Sequence, residues 1–561
     1  MQPNIRWQML LAVVCLGLVF ALLSFQVQSE GLCTARVPAA GGSMAEGVVG
    51  IPRFLNPLLS DPNPVDRQLT SLIFDGLLYY DDSGRLAPAL ARDWRVSEDG
   101  LTVTFSLRED VTWHDGEPFT ADDVVFTYSL LQNEAFPAAP ALRALWQSVT
   151  ISRDGPATVS FTLPEPYSPF LDATTRGILP AHLLGAVPPA QIADHAINRQ
   201  PVGTGPFMVP AGENWERTGR LRLIPNPALW SQGTQLDSLT FRFFPNFDAV
   251  IDAYQSGELH AIGDVPSPRV PEVLALEQTR LYTSPSPRYT ELLFNLEGHA
   301  AIRVVEVRQA LAYGLNRDAL IDQAIAGQGL PLEGPYIPTS WAYNPAALSA
   351  YAYNPISATI ALDDAGWLAS EAGGTRQREG DAGAETLSLR LLLPDEARMR
   401  AIGANLATQW GEIGVALQLV PLAADAYREA LASGDFDLAL VEIVAETDPD
   451  LYSFWSQEAL VRGQNYGRWN SRRASEALEH ARQLWDEDER QVYYDAFLGL
   501  YSRALPALTL YQHVENYAVS EAVNGLEIGR IDQPRDRYET LPAWFLLYRD
   551  VSVRCPETPV T

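Results

Sequence analysis

The stretch Val444-Ala-Glu-Thr-Asp-Pro-Asp450 sets three carboxylates, Glu446, Asp448 and Asp450, on alternate positions. Paired carboxylates are the apparatus of glycoside cleavage. With 69 acidic residues in the chain, however, close pairs also arise by chance. Taken alone, Glu446 reads equally as a solvated loop carboxylate. Large aromatics surround the loop in sequence or fall elsewhere in the same half: Trp455, Tyr466, Trp469, Trp341, Tyr427 and Tyr511. Such rings stack on sugar faces or line peptide pockets, and they also fill ordinary cores.

Other chemistries are missing. The seven histidines are scattered, and none forms a His-Glu-x-x-His zinc pattern. No cysteine pair has metal spacing, so no metal site and no cofactor is expected. No G-x-S-x-G nucleophile elbow occurs. Gly203-Thr-Gly205 lacks a third glycine, and Pro206 follows, so a phosphate loop is not supported. All forty basic residues are arginine, which excludes a Schiff-base or phosphate-loop lysine. The formal net charge of −29 repels a phosphate backbone and argues against nucleic acid.

The elements that must position the loop are legible. Leu389, Leu391 and Leu393 alternate as a strand, and a helix over 395–412 ends at Gly414. Val415, Leu417 and Leu419 form a second strand. A helix over 427–432 closes at Gly434, and Phe436, Leu438 and Leu440 form a third strand. This β-α-β-α-β pattern predicts a parallel sheet, in which ligands sit at the carboxyl ends of strands. The 444–450 loop lies at such an end. Earlier, Leu101 to Leu107 and Val159 to Leu163 alternate as half-buried strands, and Thr120 caps a helix with Asp122 and Asp123 in its first turn. Helical pattern returns over 474–503. Pro506 breaks it, and Leu508 to Tyr511 reads as a strand entering another sheet.

At 561 residues and 47% hydrophobic content, the chain holds two or three packed units. Arg6 precedes an apolar run from Met9 to Phe25, the layout of a secretory signal or an amino-terminal membrane anchor. Cleavage after Ser29 is one fate. Lipidation of Cys33 is disfavoured by Glu30 three positions before it. Residues 38–47 read as a linker. Cys33 and Cys555 lie near the two ends and could pair in an oxidising compartment.

Several stretches resemble the solute-binding protein family that serves dipeptide, oligopeptide and nickel ABC importers (family 5). They are Leu55-Asn-Pro-Leu58 with Phe74-Asp-Gly-Leu-Leu78, the run 107–131 (LREDVTWHDGEPFTADDVVFTYSLL), Gly203-Thr-Gly-Pro-Phe207, the run 307–320, Ser340-Trp-Ala-Tyr-Asn-Pro345, Ala365-Gly-Trp367 and Gly434-Asp-Phe-Asp-Leu438. The resemblance implies an α/β, two-lobed periplasmic-binding-protein-like fold of the class II (cluster C) type, with an extra subdomain in lobe 1. The implied division is a signal or anchor at 1–29, a linker at 30–47 and lobe 1 at 48–79 and 201–287. The inserted subdomain occupies 80–200, lobe 2 occupies 288–505, and 506–561 forms the return and tail. In peptide-binding members an aspartate after the third strand pairs with the peptide's α-amino group, and Glu446 is its nearest match here. The implied ligand-binding set is Glu446, Asp448, Trp455, Tyr466, Trp469, Tyr427, Trp341, Asn295 and Tyr511.

The resemblance further implies an extracytoplasmic, monomeric, non-enzymatic protein. It would capture a peptide or other small solute, close its lobes, and deliver the solute to an ABC permease with its ATPase subunits. An oligosaccharide ligand on the same fold is the alternative. A secreted hydrolase would need a nucleophile and base that the chain does not display.

Overall fold

The computed structural model describes residues 3–29, 32–81, 83–228, 234–369, 374–380, 383–531 and 533–554. One sheet runs through both lobes. Its strands lie in the order 416–422, 388–394, 438–444, 279–294, 507–520, 261–262, 43–49, 238–244, 220–225 and 207–208, and a short strand, 329–331, pairs with 507–520. The β-α-β-α-β unit folds as its periodicity requires. Ser388–Pro394 is parallel to both Ala416–Leu422 and Leu438–Val444. Helices Ala397–Glu412 and Ala424–Ser433 make the crossovers. Gly414 and Gly434 take φ of 81° and 76° at the turns that follow, a region L side chains avoid.

Two long strands, Thr279–Phe294 and Ala507–Ser520, pair antiparallel and join the lobes. The strand read from Leu508 to Tyr511 therefore enters the same sheet, not another one. Between Tyr282–Pro285 and Val514–Tyr517 the sheet narrows to these two strands. Pro285 and Pro287 lack an N–H, so this stretch offers no regular ladder to a third strand, and the register shifts between Pro285 and Tyr289.

A four-stranded antiparallel sheet, in the order 91–96, 102–107, 158–162 and 150–155, forms a separate layer within the 80–200 region. Helix Ala121–Gln132 accompanies it, and Asp123 accepts from the Thr120 N–H at 2.9 Å. The stretches that carry the family resemblance meet in lobe 1. His114 Nδ1 accepts from Gly203 N–H at 3.1 Å, and its Nε2 lies 3.1 Å from the Gly205 carbonyl. Gly205 N–H donates to Ile73 O at 2.9 Å. A Cβ on Gly203 would stand 1.9 Å from that same carbonyl oxygen. Gly203-Thr-Gly205 is thus a backbone joint, not a phosphate cradle. Gly203→Ala is expected to cost about 1–3 kcal/mol by overpacking, read as a lower denaturation midpoint.

Residues 38–47 are not a linker. Leu32–Ala39 pairs with Leu547–Arg554, and Ser43–Val49 lies in the main sheet, parallel to Ser238–Phe244. Gly41 and Gly42, at φ 122° and 90°, make the sharp break between the two strands. The glycines that suggested flexibility serve a corner. Cys555 lies outside the described residues. Cys33 stands in register with Val553. Residues Pro3–Ser29 form one helix with Leu10, Leu16 and Phe20 exposed. Among the described residues, no helix is long and apolar enough to cross a membrane.

Candidate functional site

The 445–451 loop leaves the carboxyl end of Leu438–Val444, held by a hydrogen bond from Ala445 N–H to Pro287 O at 2.6 Å. It borders a cavity of about 680 Å³ between the lobes. Lobe 2 supplies Glu446, Asp448, Asp450 and Arg482. Lobe 1 and its inserted layer supply Asp61, Arg67, Tyr167, Asp172 and Arg176, and the returning chain supplies Arg535. The lobes touch where Ser168 N–H and Oγ both donate to Arg482 O, at 2.8 and 3.1 Å, and where Arg85 lies 3.5 Å from Glu487.

Most charges in this cleft are already paired. Arg176 donates to Asp61 at 2.8 Å, and Arg535 to Asp75 at 2.8 Å. Arg482 donates to Asp450 at 2.7 Å, its guanidinium between the rings of Tyr167 and Tyr452 at 4.8 and 4.2 Å. Arg490 binds Asp448 through two hydrogen bonds of 2.9 and 2.8 Å, and Trp341 lies 5.0 Å from that guanidinium. Asp172 accepts from Tyr80 OH at 2.7 Å. Burial pushes the Asp172 carboxyl up to about 6, with the negative charge of Asp448 adding to the shift.

Glu446 differs. Among the described residues it has no hydrogen bond and no ion pair. Its side chain still reaches water, yet the cleft walls crowd it. Desolvation by those walls, then the charge of Asp172, lift it to about 7, and Arg176 pulls the other way. A crowded carboxylate without a hydrogen-bond or ion-pair partner is a receptor for a cation, because an incoming ammonium supplies that partner.

The other expected residues lie elsewhere. Asp448 lines the cleft, but Arg490 occupies its carboxylate. Trp341 covers Arg490 instead of facing the cavity. Trp469 is buried, packed edge-on to Trp455 and Tyr501. Asn295 is buried and donates to Gly434 O and Phe436 O at 3.0 and 2.9 Å, fastening the turn before the third strand. Tyr511 is buried, stacked on His513 at 4.9 Å, and accepts from Arg398 at 3.1 Å. Trp455, Tyr427 and Tyr466 line a second, smaller cavity inside lobe 2. Trp and Tyr supply large apolar area wherever a core is thick, so their presence near the loop in sequence did not place them in the cleft. Asp61, Asp172 and Arg176 were not legible as site residues, since nothing local marks an acidic or basic residue that the fold sets across a cavity from a distant loop.

Comparison with known proteins identifies the family and the fold. Residues 85–462 match the family model described as "Bacterial extracellular solute-binding proteins, family 5 Middle". The oligopeptide-binding protein AppA of Bacillus subtilis is 25% identical over 523 residues, covering 91% of this chain and 93% of that protein. The dipeptide-binding protein of Escherichia coli is 25% identical over 528 residues, covering 88% and 94%. Among solved structures, the ABC transporter substrate binding protein CtaP of Listeria monocytogenes superposes with a TM-score of 0.76 at 24% identity, covering 90% of this chain and 99% of that one. The solved structure shares the two-lobed fold.

Proposed function

The chain belongs to the family 5 bacterial extracellular solute-binding proteins, and on that premise we propose that it captures peptides by pairing Glu446 with their α-ammonium group. The observation that carries this reading is the unpartnered Glu446 carboxylate in a cleft whose other carboxylates have donors. The relatives' names, oligopeptide-binding and dipeptide-binding, point to the same ligand class. The charged cleft suits a ligand with charges of both signs. Water filling the rest of the cavity accommodates varied side chains.

The protein performs no covalent chemistry in this reading. It works outside the cytoplasm, closes on its ligand and presents it to an ABC permease with its ATPases. The Pro3–Ser29 helix serves as export signal. An oligosaccharide would call on exposed aromatic faces in the cleft. Of the aromatics expected from sequence, none lines the large cavity.

Two measurements test the proposal. Calorimetry should show a short peptide binding at least about tenfold more tightly than its N-acetylated form, since acetylation removes the ammonium and strands a charged acceptor. Equal affinities would overturn the anchor.

The pH profile gives the second test. Below about 7 Glu446 takes up a proton and loses its charge. Above about 8 a peptide's α-amine loses its own. Affinity should therefore peak between those values and fall by roughly tenfold per pH unit on the acid side. A flat profile from pH 5 to 7 would reject Glu446 as the anchor.

A further inference from the structure

The second cavity, of about 320 Å³, lies in lobe 2 over the carboxyl edge of its parallel strands. Glu396 follows the strand Ser388–Pro394, Tyr427 lies in the first turn of the helix after Ala416–Leu422, and Glu442 is near the end of Leu438–Val444. Ligands of α/β sheets sit at this edge. Three half-buried rings line the cavity, Tyr427, Phe454 and Tyr466. The first is fixed by its hydroxyl, which donates to Leu440 O at 2.5 Å.

The accessible charges on the lining are negative. Glu442 is held by Arg398. Glu396 is exposed at the start of helix Ala397–Glu412 and makes no capping hydrogen bond. Among the described residues its carboxylate has no ion pair, and no arginine or histidine lines the cavity. Gln464 adds an exposed amide whose carbonyl can accept. Helix starts favour anions, but these carboxylates repel one. A cation meets the opposite case, since ring faces attract it and Glu396 supplies the counter-charge.

The cavity adjoins the cleft. Ser453 lines the cleft and Phe454 this cavity, as neighbours in the short helix Tyr452–Trp455. Glu442 precedes Glu446 by roughly 13 Å of extended chain. An extended peptide held at Glu446 sends its second to fourth side chains over that span.

We propose that this cavity binds an organic cation, an ammonium or guanidinium group on an alkyl stem, with Glu396 as its counter-charge and the rings of Tyr427, Phe454 and Tyr466 as its walls. The cation is either the side chain of a lysine or arginine in a captured peptide or a free alkylamine. Only the first source rests on the peptide reading.

Calorimetry with n-hexylammonium and 1-hexanol tests the site, in the Glu446→Gln protein so that the cleft carboxylate does not compete. Hexylammonium should bind saturably and hexanol at least about tenfold more weakly, because hexanol keeps the stem and lacks the charge. Adding Glu396→Gln or Tyr466→Leu should each weaken hexylammonium by about fivefold or more. Glu396 is exposed and Tyr466 half-buried, so both variants should fold. The site is read without Glu446, and the N-acetylated peptide tests the ammonium anchor by itself, so the two readings fail separately. In the wild type, tetra-alanine peptides carrying one lysine at the second, third or fourth position, each against its norleucine counterpart, separate the sources. A lysine preference lost in Glu396→Gln assigns the side chain, whereas hexylammonium binding with no lysine preference assigns the free amine. No hexylammonium binding, equal hexanol binding, or an affinity unmoved by both variants would overturn the proposal.

Discussion

Glu446→Gln is expected to weaken peptide binding by about 30-fold to several thousand-fold while the protein stays folded. The range corresponds to roughly 2–5 kcal/mol for removing one side of a desolvated, hydrogen-bonded charge pair. Glutamine keeps the shape and loses the charge, so packing is not in question. The folded state should not suffer, because the carboxylate has no protein partner to strand. The informative design is a cycle: wild type and Glu446→Gln, each against a free and an N-acetylated peptide. Acetylation should cost affinity in the wild type and almost nothing in the variant. If the glutamine variant binds within about threefold of wild type, the α-ammonium is held elsewhere and Glu446 is only a crowded cleft carboxylate.

Asp448→Ala should act on the fold instead. Its carboxylate takes both hydrogen bonds from Arg490, whose side chain is 5% exposed. Removing it leaves a buried guanidinium holding only Tyr494 OH, at 2.8 Å, and the ring of Trp341. Breaking a buried pair from one side costs about 3–5 kcal/mol. For a unit the size of lobe 2 that is a melting temperature lower by roughly 6–20 °C. The double replacement Asp448→Leu with Arg490→Met should recover most of the loss, since a well-packed apolar pair is often no worse than a buried ion pair. Measured on folded protein, peptide affinity should fall far less than in Glu446→Gln. A variant with unchanged melting and abolished binding would reverse these two assignments. Two carboxylates two residues apart thus differ in whether an arginine already holds them.

That difference bears on what a sequence discloses. The β-α-β-α-β unit was readable because each of its elements is local: alternating leucines, a helical stretch and a glycine at the turn. The loop at its carboxyl edge followed from topology, and the structure sets it against the interlobe cavity. What could not be read was long-range pairing. Asp172 and Arg176 come from a layer that precedes the loop by some 270 positions, a separation at which no spacing rule operates. Arg490 sits on the helix Glu487–Ala504, where an arginine reads as a solvated helix residue. The aromatics failed for a related reason. Trp455 and Trp469 satisfy a thick lobe 2 core as readily as a ligand, and sequence does not count the neighbours. The misread linker shows the converse, since Gly41 and Gly42 look flexible in composition yet hold a fixed corner.

The two-strand waist at Tyr282–Pro285 and Val514–Tyr517 has a mechanical consequence. A two-stranded ribbon twists more than a wide sheet, so few ladder contacts fix the angle between what it joins. The ladder of the ribbon is the frame about which the lobes are set. Contacts between the 80–200 region and lobe 2 include Ser168 with Arg482 and Arg85 with Glu487, and neither is a strand pairing. The energy separating open from closed is accordingly written on the surfaces that meet, and not in the sheet that joins them. Residues at the rim can retune how often the jaws part without weakening the frame. The same frame can serve ligands of quite different affinity by changing only what the jaws touch.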